Sequence, residues 1–141
     1  MTKIELTDGS PVPPDRSHTA IDPRTGMQRG YVVLSPEERA KGFVKPVRRS
    51  YIHKVCGTMT TMGRGLSETY ARDPYFYSGT FCCQCHAHFD LAQFDWEDGE
   101  PMEPALQEAW HAKLASAKEE RRVRRIAELE RELAQLKGDA T

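Results

Sequence analysis

Two short stretches, His53-Lys54-Val55-Cys56-Gly57 and Cys82-Cys83-Gln84-Cys85, constrain this chain more than anything else in it, with 25 residues between Cys56 and Cys82. Each half offers two soft ligands three positions apart, the reach of one tight turn, and two such turns facing each other complete a tetrahedral zinc site. The glycine after Cys56 lets the backbone curl past an ion without a Cβ clash. His53, Cys56, Cys82 and Cys85 are therefore the expected metal ligands, and the expected cofactor is structural Zn2+. One imidazole and three thiolates fill four-coordinate zinc, and a filled site holds structure rather than activating water. A second register, Cys83 with His86, competes. Cys82 with Cys85 is preferred because it repeats the spacing of the first pair and because thiolates outrank imidazole in a closed zinc site. Cys83, His86 and His88 are then spares, with His88 a candidate to orient a ligand from behind.

The rest of the chain sets the limits. Its 141 residues, 38% hydrophobic and 29% charged, leave room for one modest domain with extensions. A formal charge of -1, from 20 basic and 21 acidic residues, gives no global field for nucleic acid. The longest apolar run is as short as Tyr31-Val32-Val33-Leu34, and no signal peptide opens the sequence, so the protein is expected in the cytosol with no membrane partner. Three cysteines within four positions in such a chain favour metal over disulfides.

Residues 1–46 carry Pro11, Pro13, Pro14, Pro23, Pro36 and Pro46 among polar residues and read as an extended arm. Within it, Met27 to Leu34 is a candidate strand, and Ser35-Pro36 opens a short helix that Gly42 stops. Residues 47–100 form the folded unit. Strands are expected at Arg49 to His53, Thr58 to Met62 and Gly79 to Phe81, and the period-two pairs Phe89 with Leu91 and Phe94 with Trp96 predict two more. Ser67 to Arg72 predicts a helix, with Asp73 capping a further turn through Tyr77. Residues 101–104 read as a linker. Residues 105–137, free of glycine and proline, predict one long helix closed by Gly138, with 138–141 as a tail. Its first part places Leu106, Trp110, Leu114 and Ala117 on one stripe. Its end spaces Ile126, Leu129, Leu133 and Leu136 by three and four, a coiled-coil seam that needs a partner.

Catalysis would need an open metal position and a nearby carboxylate. Glu68, Asp73, Asp90 and Asp95 are candidates, but no deaminase, metalloprotease or phosphate-cradling motif contains them, so no enzyme is expected. Lys45-Pro46-Val47-Arg48-Arg49 with Lys54, and Arg121-Arg122-Val123-Arg124-Arg125, are the basic stretches able to meet phosphate. The acidic residues flanking the second argue for a solvated helix face. Tyr70, Tyr75, Phe76, Tyr77 and Phe81 read as core rather than as a base-stacking platform.

The phrases Val55-Cys56-Gly57-Thr58-Met59-Thr60-Thr61-Met62 and Glu68-Thr69-Tyr70-Ala71-Arg72-Asp73-Pro74-Tyr75-Phe76-Tyr77-Ser78-Gly79-Thr80-Phe81-Cys82 resemble a group of small, zinc-ribbon-like proteins of tailed bacteriophages and prophages, over roughly residues 50–97. In that pattern His53, Cys56, Cys82 and Cys85 fall on the metal ligands, while the position of Cys83 accepts other residues. The expected fold is a small α+β zinc-ribbon-like domain with an extended Pro-rich N-terminal arm and a long, coiled-coil-like C-terminal α-helix. The resemblance implies a non-enzymatic virion accessory protein, of capsid-decoration or head-to-tail adaptor type, located in the particle and in host cytoplasm during assembly. Its partners would be capsid or neck subunits, or a second copy through the helix. The alternative is a zinc-ribbon regulator binding nucleic acid or a polymerase through Arg48, Arg49, Lys54, Arg64 and Arg72.

Overall fold

Two β-hairpins carry the architecture, and each turns at one of the ligand pairs. In the computed structural model, which describes residues 2–139, β3 (Ser50–His53) runs into the first turn and β4 (Met59–Thr61) runs out, while β5 (Gly79–Cys82) and β6 (Ala87–Asp90) flank the second. Tyr51 pairs with Thr60, and Phe81 with His88, both antiparallel. A further strand, β7 (Phe94–Trp96), adds to the other edge of β3, so the first sheet has the order β4-β3-β7. The alternation that predicted β7 is visible in its burial, Phe94 and Trp96 facing inward with Asp95 half-buried between them, whereas Leu91, paired with Phe89 in the same way, lies beyond β6 in the short 3-10 turn Leu91–Gln93.

The core forms where the hairpins and α2 (Arg64–Arg72) converge. Tyr51, Met62, Tyr70, Cys82, Leu91, Phe94, Trp96 and Met102 are buried together, with Leu66, Tyr77 and Phe89 packed around them. Tyr51 meets Phe94 and Trp96 edge-on, at centroid distances of 5.4 and 6.4 Å, the arrangement ring quadrupoles favour. Its hydroxyl donates to the Phe81 carbonyl and accepts from Thr80 Oγ1, so a phenol bridges one sheet to the free edge of the next. Burial pushes that phenol up to about 12, which keeps it a neutral donor. Tyr75, assigned to the core from sequence, is instead 77% exposed.

Three expectations change. Residues 1–46 are not an extended arm. β1 (Ile4–Leu6) pairs antiparallel with β2 (Val32–Leu34), and α1 (Pro36–Arg39), capped by Ser35 as its sequence predicted, follows. Val33 and Leu34 are buried, the Leu34 amide donates to Thr69 Oγ1 on α2, and Tyr77 donates to the Val32 carbonyl. Three apolar positions and a few side-chain bonds suffice to dock this segment, too sparse a pattern to show as periodicity. Residues 101–104 are not a free linker either: Met102 is 1% exposed, its amide donates to the Phe94 carbonyl, and Pro101 bridges to Asp95. Third, α3 spans Pro104–Asp139, so Gly138 lies inside the helix rather than ending it. The turn expected from Asp73 is a turn in which Asp73 Oδ1 accepts from the Tyr75 amide, without a second helix. Residues to Leu106 form one compact unit and those from Gln107 another.

Candidate metal centre

The first turn is closed by a 2.7 Å bond from the Gly57 amide to the His53 carbonyl, the second by a 2.9 Å bond from the His86 amide to the Cys82 carbonyl. Both close a ring over the three intervening residues, and both then need a left-handed residue to leave it. Gly57 supplies φ 75°, and His86 supplies φ 56°. The same backbone solution therefore appears twice, once with the residue that adopts it freely and once with one that does so at a cost.

These turns bring His53, Cys56, Cys82 and Cys85 together, with one ligand atom of each lying within 4.8 Å of the others. Cys56 Sγ is 3.5 Å from His53 Nδ1 and 3.5 Å from Cys82 Sγ, and Cys85 Sγ is 3.6 Å from His53 Nδ1. Zinc bonds of ~2.3 Å to sulfur and ~2.0–2.1 Å to nitrogen, spread tetrahedrally, demand about 3.8 Å between sulfurs and about 3.6 Å between sulfur and nitrogen. The donor set fits such an ion. All four cysteines are free thiols. The group could thus hold a metal such as zinc, which would tie the two hairpins through their turns.

His53 is prepared for that task by its surroundings. Its ring is 1% exposed and packs against both Phe89 and Phe94, each at a centroid distance of 4.7 Å and within about 26° of parallel. Gln93 Oε1 lies 2.8 Å from Nε2 and, as an acceptor, fixes the proton there. That leaves the Nδ1 lone pair facing the three sulfurs, the tautomer a metal needs. Gln93 reaches this place from the short 3-10 turn Leu91–Gln93, and sequence reading missed it because a lone glutamine carries no motif.

The electrostatics of the sulfurs are compatible with a cation among them. The Cys56 thiol is held down at about 6, first by the Thr58 backbone amide and then by the neighbouring Cys82, Thr58 and His53 groups. Cys85 goes the other way, to about 11, pushed by desolvation and by the sulfurs of Cys82 and Cys56. One thiolate is favoured and the next is opposed by it, so a full set of thiolates requires a positive charge at their centre. Cys82, 0% exposed, accepts a 3.5 Å bond from the Cys85 amide.

The competing register is not assembled. Cys83 is exposed, its sulfur 3.5 Å from the Met59 carbonyl and its amide bonded to Thr60 Oγ1. His86 serves the turn's backbone, and His88 pairs at 2.8 Å with the Tyr31 hydroxyl of the N-terminal segment. The four-residue group contains no carboxylate. Glu68 is held between Arg39 and Arg64, and Asp95 lies 3.9 Å from Lys54. Among the described residues, no helix is long and apolar enough to cross a membrane. Comparison with protein-family models, curated proteins and solved structures returns no match.

Proposed function

We propose that this chain is a non-enzymatic structural or accessory protein whose compact unit is a zinc-ribbon-like module held by Zn2+ on His53, Cys56, Cys82 and Cys85. One observation carries the reading: His53, Cys56, Cys82 and Cys85, from two similar hairpin turns, offer ligand atoms within 4.8 Å of one another, three of the separations being 3.5–3.6 Å. Four protein donors leave a tetrahedral ion no place for a reactive water, and the function that remains is to hold two hairpins together. The resemblance of residues 50–97 to small phage proteins makes the role specific. The module is then a virion component of decoration or adaptor type, its partners capsid or neck subunits. The absorption spectrum of the cobalt-substituted protein tests the site, with intense tetrahedral bands and sulfur charge-transfer expected for three thiolates and one imidazole. Mass spectrometry of washed particles tests the role, and absence of the chain from them refutes it.

The regulator reading is weakened by where its cations sit. Arg48 is 6% exposed, paired with Glu100 at 3.0 Å and Asp98 at 3.2 Å, and stacked over Trp96 at 4.6 Å. Arg72 bonds the Gly42 carbonyl, whereas Arg64, its side chain 85% exposed, pairs with Glu68 only at the surface. Cations engaged as Arg48 and Arg72 are contribute little to phosphate contact. A gel shift at low salt that is lost on reversing the charge of Arg49 and Lys54 would restore that reading.

A further inference from the structure

The far end of α3 carries an apolar seam with a charge pattern beside it, and the two together specify what covers it. Ile126, Leu129, Leu133 and Leu136 are 45 to 66% exposed. We propose that they are the seam of a parallel, two-stranded coiled coil formed with a second copy of this chain.

Spacings of three and four put Ile126 and Leu133 at the first core position of two heptads, and Leu129 and Leu136 at the second. A β-branched residue at the first and leucine at the second is the combination that favours two parallel strands over three or four. The flanking charges choose the orientation. In a parallel pair each residue just before a first core position faces the residue just after the following second core position on the other strand. Arg125 then meets Glu130 of the other copy, and Glu132 meets Lys137, each twice by symmetry. All four contacts are attractive. An antiparallel pair centred on the same seam sets Glu130 against Glu130 and Glu132 against Glu132, which is repulsive. Within one helix Arg125 reaches the outward-facing Glu128 at 3.2 Å, a contact it exchanges for Glu130 of the other copy on pairing.

The seam is also short. One heptad earlier the core positions hold Glu119 and Arg122, which leave contact between strands to two heptads. Pairing over that length is weak and reversible. Its consequence is bivalency: a dimer carries two copies of the unit ending at Leu106, and two weak contacts to a repeating surface hold 10²–10⁴-fold better than one by the usual linkage gain, about that order. The seam is separate from the metal group, so each can fail without the other.

Sedimentation equilibrium of the full-length, metal-loaded protein between about 5 and 500 µM tests this. The weight-average mass should climb from 16.0 kDa toward two chains. Leu133→Glu should keep it at one chain, while Gln135→Glu, outside the seam, should change nothing. Glu130→Lys should weaken pairing about tenfold, and adding Arg125→Glu should restore it, because the swapped charges attract again across a parallel pair. In an antiparallel pair position 130 faces its own copy, so the second change restores nothing. A single-chain mass throughout, a plateau above two chains, or failure of the swap overturns the proposal. Metal content measured on the same samples reports the zinc site separately.

Discussion

The two ligand turns share a backbone but not a setting. The first is buttressed on its ligand: His53 packs against Phe89 and Phe94 and is tethered by Gln93, while the turn itself is open, with nothing within 4 Å of the place a Cβ on Gly57 would occupy. The second is buttressed on its backbone: a Cβ on Gly26 would lie 1.9 Å from the His86 carbonyl oxygen, so the N-terminal segment rests directly on the turn. One half-site is held by side-chain packing and the other by a neighbouring loop. An ion between them would join two supports of different origin, and that difference can be broken at either side.

The largest effect should come from removing the shared element. On the zinc reading, Cys82→Ser takes away the buried sulfur between both turns, and the protein should lose at least about 3 kcal/mol of stability and its tightly held metal. A chelator should unfold the wild type over the same range of conditions. Calorimetry with metal analysis reads both, and a transition unchanged by chelation would show that the two hairpins hold without an ion.

Next comes the loop that supports the second turn. Gly26→Ala meets the His86 carbonyl and a φ of 78° together, so a loss of about 3 kcal/mol is expected in urea unfolding. Gly57→Ala in the open turn has φ 75° and no neighbour, and should cost about 1 kcal/mol. Equal losses at the two positions would mean that the N-terminal segment does not bear on the site. On the first turn, Gln93→Leu removes the acceptor that fixes the His53 proton on Nε2, and zinc affinity in a chelator competition should fall about 10- to 100-fold.

The gathering of His53, Cys56, Cys82 and Cys85 into one group was legible because two pairs of residues, each three apart, need no knowledge of what lies between. The hairpin strands followed from the aromatic and β-branched residues on either side of the two Cys pairs, β7 from the alternation of Phe94 with Trp96, and α1 from Ser35 and Pro36, whose cap is found with Ser35 Oγ accepting from the Glu38 amide. What stayed hidden depends on contacts between distant residues. Residues 2–46 dock through Leu6, Val33 and Leu34 plus isolated bonds such as Tyr31 to His88; the strand Val32–Leu34 was legible within Met27 to Leu34, but nothing local announces that Ile4–Leu6 pairs with it. Met102 was hidden for the same reason, a single apolar residue between two prolines. Gly138 misled because its cost inside a helix, about 1 kcal/mol, is small against the favourable residues before it.

The smallest effect is also the cleanest probe of the comparison, because it exchanges the residue at the left-handed position that closes each turn. His86 holds φ 56° with a side chain that makes the left-handed region costly, whereas Gly57 holds φ 75° freely. His86→Gly should therefore stabilise the protein by about 0.5–1 kcal/mol, the relief of the Cβ clash less the extra chain entropy glycine loses on folding. The Gly26 contact is to the carbonyl of residue 86, not to its ring, and survives the change. Metal affinity should stay within threefold or so of the wild type, since the backbone that aims Cys82 and Cys85 is already in place. A loss of stability instead would assign the imidazole of His86 a contact of its own, and the second turn would then be supported by a side chain as the first one is.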